Sequence, residues 1–121
     1  MPSERFIYAF NQLCISIDLA PPALIEDTMS LQVGTQVCTL SEHPVDHLLM
    51  FTEITPHPEA LMAEQNLHCQ DLCKPVIGRD PQSQAYILWN RQSLMQMDQA
   101  QVLHQFSLLV AAAQTLSNLH N

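Results

Sequence analysis

The stretch Tyr86-Ile-Leu-Trp-Asn-Arg-Gln-Ser-Leu-Met-Gln-Met-Asp98, with the run from Gln99 to Asn121 behind it, decides the fold. Ala85 to Trp89 is a short, continuous apolar piece and reads as a buried strand. Asp98 can cap a helix, and Gln101, three residues on, stands in the reciprocal capping-box position. Val102, Phe106, Leu109, Ala113 and Leu116 then follow at steps of four, three, four and three. That is the spacing of a helix seam packed on a sheet or on another helix. From Gln99 to Asn121 there is no Lys, Arg, Asp or Glu. The unit is a strand, a link and an amphipathic helix, built for packing and not for chemistry.

Upstream, Asp80-Pro81-Gln-Ser83 is a turn, and Val76-Ile77-Gly78 ahead of it is a short apolar piece. Pro56-His-Pro58 breaks whatever precedes it, and Pro58 suits the first turn of a helix over Glu59 to Leu67. Leu48 to Ile54 is a strand. Met29 to Leu40 also reads as β, with Met29, Leu31, Val33 and Val37 on one parity. Gly34 inside it marks either a bulge or a turn between two short strands. Ser3 can cap a first helix whose apolar positions are Phe6, Ile7, Phe10, Leu13, Cys14 and Ile17; Pro21-Pro22 stops it. Ile15 and Leu19 fall outside that stripe. The order is α-β-β-α-β-β-α, with one more strand if Gly34 is a turn. It predicts a single α+β domain: a small, twisted antiparallel sheet flanked by helices.

Composition narrows the function. The chain has 121 residues, 47% of them hydrophobic, which fits one globular domain. Its formal net charge is −8, with only Arg5, Lys74, Arg79 and Arg91 basic. Nucleic acid and anionic membrane surfaces both demand a positive face, so neither is an expected partner. The N-terminus lacks the basic and apolar regions of a signal peptide. No run approaches the roughly 18 apolar residues of a membrane span. A cytosolic location follows, and with it free thiols at Cys14, Cys38, Cys69 and Cys73.

Chemistry-bearing patterns are sparse. Cys69 and Cys73 lie four apart with His68 beside them, so both sulfurs could share a helix face. A structural zinc needs four ligands, and no paired C-x-x-C or H-x-x-x-H pattern supplies the rest. Buried thiols are the better reading. His43, His47, His57, His104 and His120 are scattered, and none gives a cysteine the setting of a reactive thiolate. Glu26 and Asp27 are adjacent in a loop-like region, where they keep a linker solvated. Only Gly34 and Gly78 are glycine, so no phosphate-cradling loop exists and nucleotide use is not expected. No cofactor or metal is expected. Leu19, Leu24, Ile25, Leu61, Met62, Met95, Met97 and Leu108 look surplus to one core. Six methionines suit an adaptable contact surface.

The element order in a small acidic chain resembles the class I type III secretion chaperones, the Tir chaperone family. Leu61-Met-Ala-Glu-Gln-Asn-Leu67 looks like that family's central helix, and Val76-Ile-Gly-Arg-Asp-Pro81 like its strand and turn. Tyr86-Ile-Leu-Trp89 looks like its following strand, and Met97-Asp98 with the last helix like its closing step. Two features depart from the pattern: the closing helix carries no charge, and His68 to Pro75 has two cysteines where a Gly-rich turn is common.

The resemblance implies a bacterial, cytoplasmic homodimer that binds the N-terminal segment of a secreted effector and keeps it soluble and secretion-competent, without catalysis. It places dimer contacts at Leu61, Met62 and Leu67 with Tyr86 and Leu88 of the neighbouring strand. It places effector contacts at Phe6, Phe10, Leu13, Leu31, Val33, Val37 and Leu49. The secretion machinery, with its ATPase as a further partner, would perform release. Two other classes stay open: an adaptor of the same fold binding a folded partner, and a thiol- or metal-dependent enzyme using Cys69, Cys73 and a histidine.

Overall fold

A computed structural model of the chain describes residues 2–55, 73–83 and 85–118. The elements are α1 (Glu4–Ser16), β1 (Thr28–Val33), β2 (Gln36–Glu42), β3 (His47–Ile54), β4 (Val76–Arg79), β5 (Tyr86–Ser93) and α2 (Gln99–Asn118). The expected helix over residues 59–67 lies outside the described residues.

Both helices begin where the sequence places their caps. Ser3 is extended, and its hydroxyl accepts from the Phe6 N–H at 3.2 Å. The Gln101 N–H donates to Asp98 Oδ1 at 2.8 Å, and the Asp98 N–H donates to Gln101 Oε1 at 2.9 Å, a closed capping box. Helix α1 ends at Ile17. Asp18 then turns the chain at φ 63°, a left-handed conformation that Asp tolerates better than most residues.

The five strands form one antiparallel sheet in the order β1-β2-β3-β5-β4. Gly34, at φ +61°, makes a tight turn between β1 and β2, so the β stretch around it is two strands. This turn corrects the sequence parity. Val33 pairs with Gln36, and paired residues share a face, so odd positions of β1 align with even positions of β2. Leu31 and Val33 therefore point to the helices together with Cys38 and Leu40. Val37, expected beside them, points the other way and is 48% exposed. Strand β5 runs four residues beyond the expected end at Trp89 and pairs with β3 along its whole length.

The core lies between one sheet face and the two helices. Phe6, Phe10 and Leu13 of α1 meet Leu40, Leu48, Met50 and Leu88 of the sheet. The α2 stripe Val102, Phe106, Leu109, Ala113 and Leu116 is buried throughout. Ile87 and Trp89, expected in the core, are only partly buried and lie on the opposite sheet face. Three polar side chains share the interior: Thr52, Asn90 and Gln105. Thr52 Oγ1 donates to the Val37 carbonyl at 2.7 Å. Asn90 Nδ2 donates to the carbonyls of Cys73 and Gln105, and Gln105 Nε2 donates to the Leu48 carbonyl at 3.0 Å. One strand pair, one helix and the segment entering β4 are thus tied at a single register.

A carboxylate ties the remaining corner. Glu42 ends β2 and accepts from the N–H groups of Ser3 and Asp46. Burial pushes its carboxyl pKa up, but these hydrogen bonds and the nearby Arg5 charge outweigh burial and hold it below the ordinary value. Arg5 reaches across to Asp46 at 3.0 Å, so the start of α1 is latched to the β2–β3 turn.

Candidate functional site

Two apolar surfaces remain after the core is closed. The first is a cleft of about 420 Å³ where the end of α1, the end of β1 and one flank of α2 converge. Ile17, Val33, Leu103, Phe106 and Val110 form its walls, and Gln32, Ser107 and Gln114 supply neutral hydrogen-bonding groups. None of its lining residues is charged. The local sequence accounts for this: Leu103 and Val110 each follow a residue of the buried α2 stripe by one position. They widen the apolar face beyond what the sheet can cover.

The cleft opens beside β1, which among the described residues is an edge strand paired only with β2. An edge strand offers a row of backbone donors and acceptors. An apolar cleft beside such an edge is the geometry in which an extended peptide can take register from the backbone and selectivity from the side-chain pocket.

The second surface is the outer face of the sheet. Leu49 and Phe51 of β3, with Ile87, Trp89 and Arg91 of β5, line a shallow depression of about 370 Å³. Phe51 stands directly opposite Trp89, and Trp89 is also opposite Val76 of β4. The Arg91 guanidinium lies 5.7 Å from the Trp89 ring centroid, within cation–π range. The sequence signal for this face is Leu48-Leu-Met-Phe51, an unbroken apolar run where a strand with one wet face would alternate.

The residues expected to touch an effector divide among three places. Phe6, Phe10 and Leu13 are in the core at 0–1% exposure and have no surface to offer a partner. Leu31 is nearly buried, and Val33 lines the cleft. Val37 and Leu49 lie on the outer face. Helical periodicity marks a residue as inward-facing but does not say whether it meets the core or a groove. Of the expected dimer contacts, Tyr86 and Leu88 face the helices, with Leu88 fully buried. The outward residues of that strand are Ile87 and Trp89, one position along. Leu61, Met62 and Leu67 lie outside the described residues. Ile17, Leu103, Val110 and Phe51 are the surface residues that sequence reasoning did not assign to a contact.

The thiols belong to the packing. Burial pushes the Cys14 thiol pKa up, and that of Cys38 up to about 11 despite the Thr52 hydrogen bond. Cys73 is buried, and its Sγ donates to Gln92 Oε1 at 3.1 Å. Cys69 lies outside the described residues. Among the described residues, no three His, Cys, Asp or Glu side chains are grouped to hold a metal ion. No described helix is long and apolar enough to cross a membrane.

Comparison with known proteins agrees with this architecture. Residues 10–117 match the profile of the Tir chaperone protein (CesT) family. The chain is 34% identical over 115 residues to the YopE regulator of Yersinia pestis, covering 92% of this chain and 88% of that protein. It superposes at a TM-score of 0.85, with 49% identity, on a chain of the ExoT–SpcS complex from Pseudomonas aeruginosa, covering 95% of this chain and 99% of that one. At 17% identity and a TM-score of 0.74, it shares the fold of a chain in the complex of the Yersinia pestis type III secretion chaperone SycH with a YscM2 fragment; 93% of this chain and 99% of that one are covered. The sheet order, the two helices on one face and a match spanning most of the sequence have one reading: the chain belongs to the Tir chaperone protein (CesT) family.

Proposed function

We propose that the protein is a type III secretion chaperone that holds the N-terminal segment of a secreted effector in extended form. The observation that carries this reading is the uncharged cleft beside the unpaired edge of β1. An effector strand would add to β1 through backbone hydrogen bonds and place apolar side chains against Ile17, Val33, Leu103, Phe106 and Val110. No bond is broken. Binding keeps the segment from folding or aggregating, and the secretion machinery, with its ATPase, takes the segment from the chaperone. The site of action is the bacterial cytoplasm.

The working form is a homodimer. Leu49, Phe51, Ile87 and Trp89 make an apolar patch that a two-fold axis would bury against its own copy. The unbroken apolar run of β3 supports this reading.

Co-expression with a secreted protein encoded beside it, followed by limited proteolysis, tests the function. The expected result is a stable complex in which one unfolded N-terminal stretch of the client resists the protease. A client that binds fully folded, with no newly protected stretch, supports the adaptor reading instead.

A further inference from the structure

The open edge of β1 lies in a one-sided electrostatic field. Between Arg5 and Lys74 the sequence contains no Lys or Arg, and none follows Arg91. The segments that border the edge are residues 17–33 and the cleft flank of α2. They carry Asp18, Glu26 and Asp27 and no Lys or Arg.

The basic groups are paired or distant. Arg5, at the end of the sheet where Thr28 pairs with Ser41, is bound to Asp46 of the β2–β3 turn, and Lys74 lies just ahead of β4, at the far edge of the sheet. Arg91 and Arg79 lie on β5 and β4, three and four strands from β1. At about 4.8 Å per strand that is roughly 14 and 19 Å, beyond the Debye length of about 8 Å at physiological salt. They stack on Trp89 and Tyr86 respectively.

The carboxylates bracket the strand. Asp18 sits between Ile17 and Leu19, two residues of the apolar cleft at the Val33 end. Glu26 lines a second hollow at the Thr28 end, with Leu24 and Ile25. The six residues of β1 between these ends span about 20 Å at ~3.3 Å per residue, and none is charged. A neutral, extended middle with an acidic side chain at each end specifies the charge pattern of what lies along it.

We propose that the segment held on β1 is an extended peptide of about six uncharged residues with Lys or Arg at its ends, its apolar side chains filling the two hollows and its cations meeting Asp18 and Glu26. The inference rests on the chaperone reading and adds the chemistry of the client. The apolar contacts supply most of the affinity. The terminal cations set register and speed encounter, because exposed pairs of this kind contribute little individually.

The test uses the full-length protein and the client stretch recovered by protease protection, made as a synthetic peptide. A second peptide has its Lys and Arg replaced by Gln. Binding is titrated at 50 and 400 mM NaCl with the wild type and with the Asp18→Asn/Glu26→Gln variant. Both substituted residues are exposed, so the urea midpoint of the variant should match the wild type. The expected result is a loss of about fivefold in affinity from high salt, from the variant, or from the Gln peptide, with the three losses not adding up. A protected stretch lacking Lys or Arg at its ends overturns the inference alone, as does an affinity unmoved by salt and by the variant. If no stretch is protected at all, the chaperone reading itself fails, and this inference with it.

Discussion

Asn90 of β5 and Gln105 of α2 exchange hydrogen bonds inside the core: Gln105 Nε2 lies 3.2 Å from Asn90 Oδ1, and Asn90 Nδ2 donates to the Gln105 carbonyl at 2.9 Å. Both side chains are buried. An apolar pair would close the same space but would let α2 slide along the sheet. The amides fix one register, and with it the width of the cleft that α2 walls.

Replacing either amide alone with Leu should destabilise the protein by about 1–3 kcal/mol, because the remaining amide stays buried and loses the side-chain bond between Gln105 Nε2 and Asn90 Oδ1. Asn90→Leu/Gln105→Leu should cost less than the sum of the two single changes. Urea denaturation of all four proteins checks this; strict additivity would show that the two residues act independently.

Leu109→Ala and Phe106→Ala separate core from cleft. Leu109 is fully buried, and its truncation should cost about 2–5 kcal/mol. Client affinity measured on the folded fraction should be little changed. Phe106→Ala should cost about 3–5 kcal/mol and also weaken client binding, since Phe106 reaches the cleft wall. Val33→Asp should shift the balance the other way. It places a charge among apolar walls and should reduce protease protection of the client; because Val33 packs only partly against the core, its urea midpoint should fall less than that of Leu109→Ala.

Phe51→Glu should prevent self-association. The side chain stands opposite Trp89 on the outer face, and a carboxylate there would be desolvated in any two-fold contact. Sedimentation of the wild type should give about twice the 13.7 kDa chain mass, and that of Phe51→Glu a single chain mass. A wild type that stays monomeric at micromolar concentration would sink the homodimer.

Acid should loosen the corner held by Glu42. Its carboxyl pKa is lowered in the folded protein, so its contribution is fully present above the ordinary value of 4.5 and is lost as pH falls through the lower folded value. In Glu42→Gln this part of the acid limb should disappear: the variant is less stable than the wild type at pH 7, and the gap narrows toward pH 3. Chemical denaturation at a series of pH values reads it directly. A gap that stays constant with pH would mean that the carboxylate charge plays no part.

Local signals in the chain were enough to place several elements. Ser3 and Asp98 start helices because a side-chain oxygen three residues ahead of a free N–H is a local fact. The α2 stripe from Val102 to Leu116 is buried as its spacing predicts, because helical periodicity needs only the chain itself. The apolar surplus was legible only in part: Leu19, Leu24 and Met95 remain exposed, whereas Met97, read with them, is buried in the core.

Which face each strand presents was not legible. Val37 was read on the parity of Leu31 and Val33 but stands with Leu49 on the outer sheet face, because a two-residue turn at Gly34 and the register of β3 decide the side. Those are relations between strands, not within them. In the same way Leu88 turned inward and Trp89 outward. The sequence by itself determined the two described helices and most of the strands, which follow from short-range pattern, and carried the family resemblance. Only the tertiary structure decided that Phe6, Phe10 and Leu13 are core while Ile17, Val33 and Val110 are cleft. Helix and strand periodicity tells a residue to leave water, but the packing of α1, α2 and β1 determines where the covering surface ends.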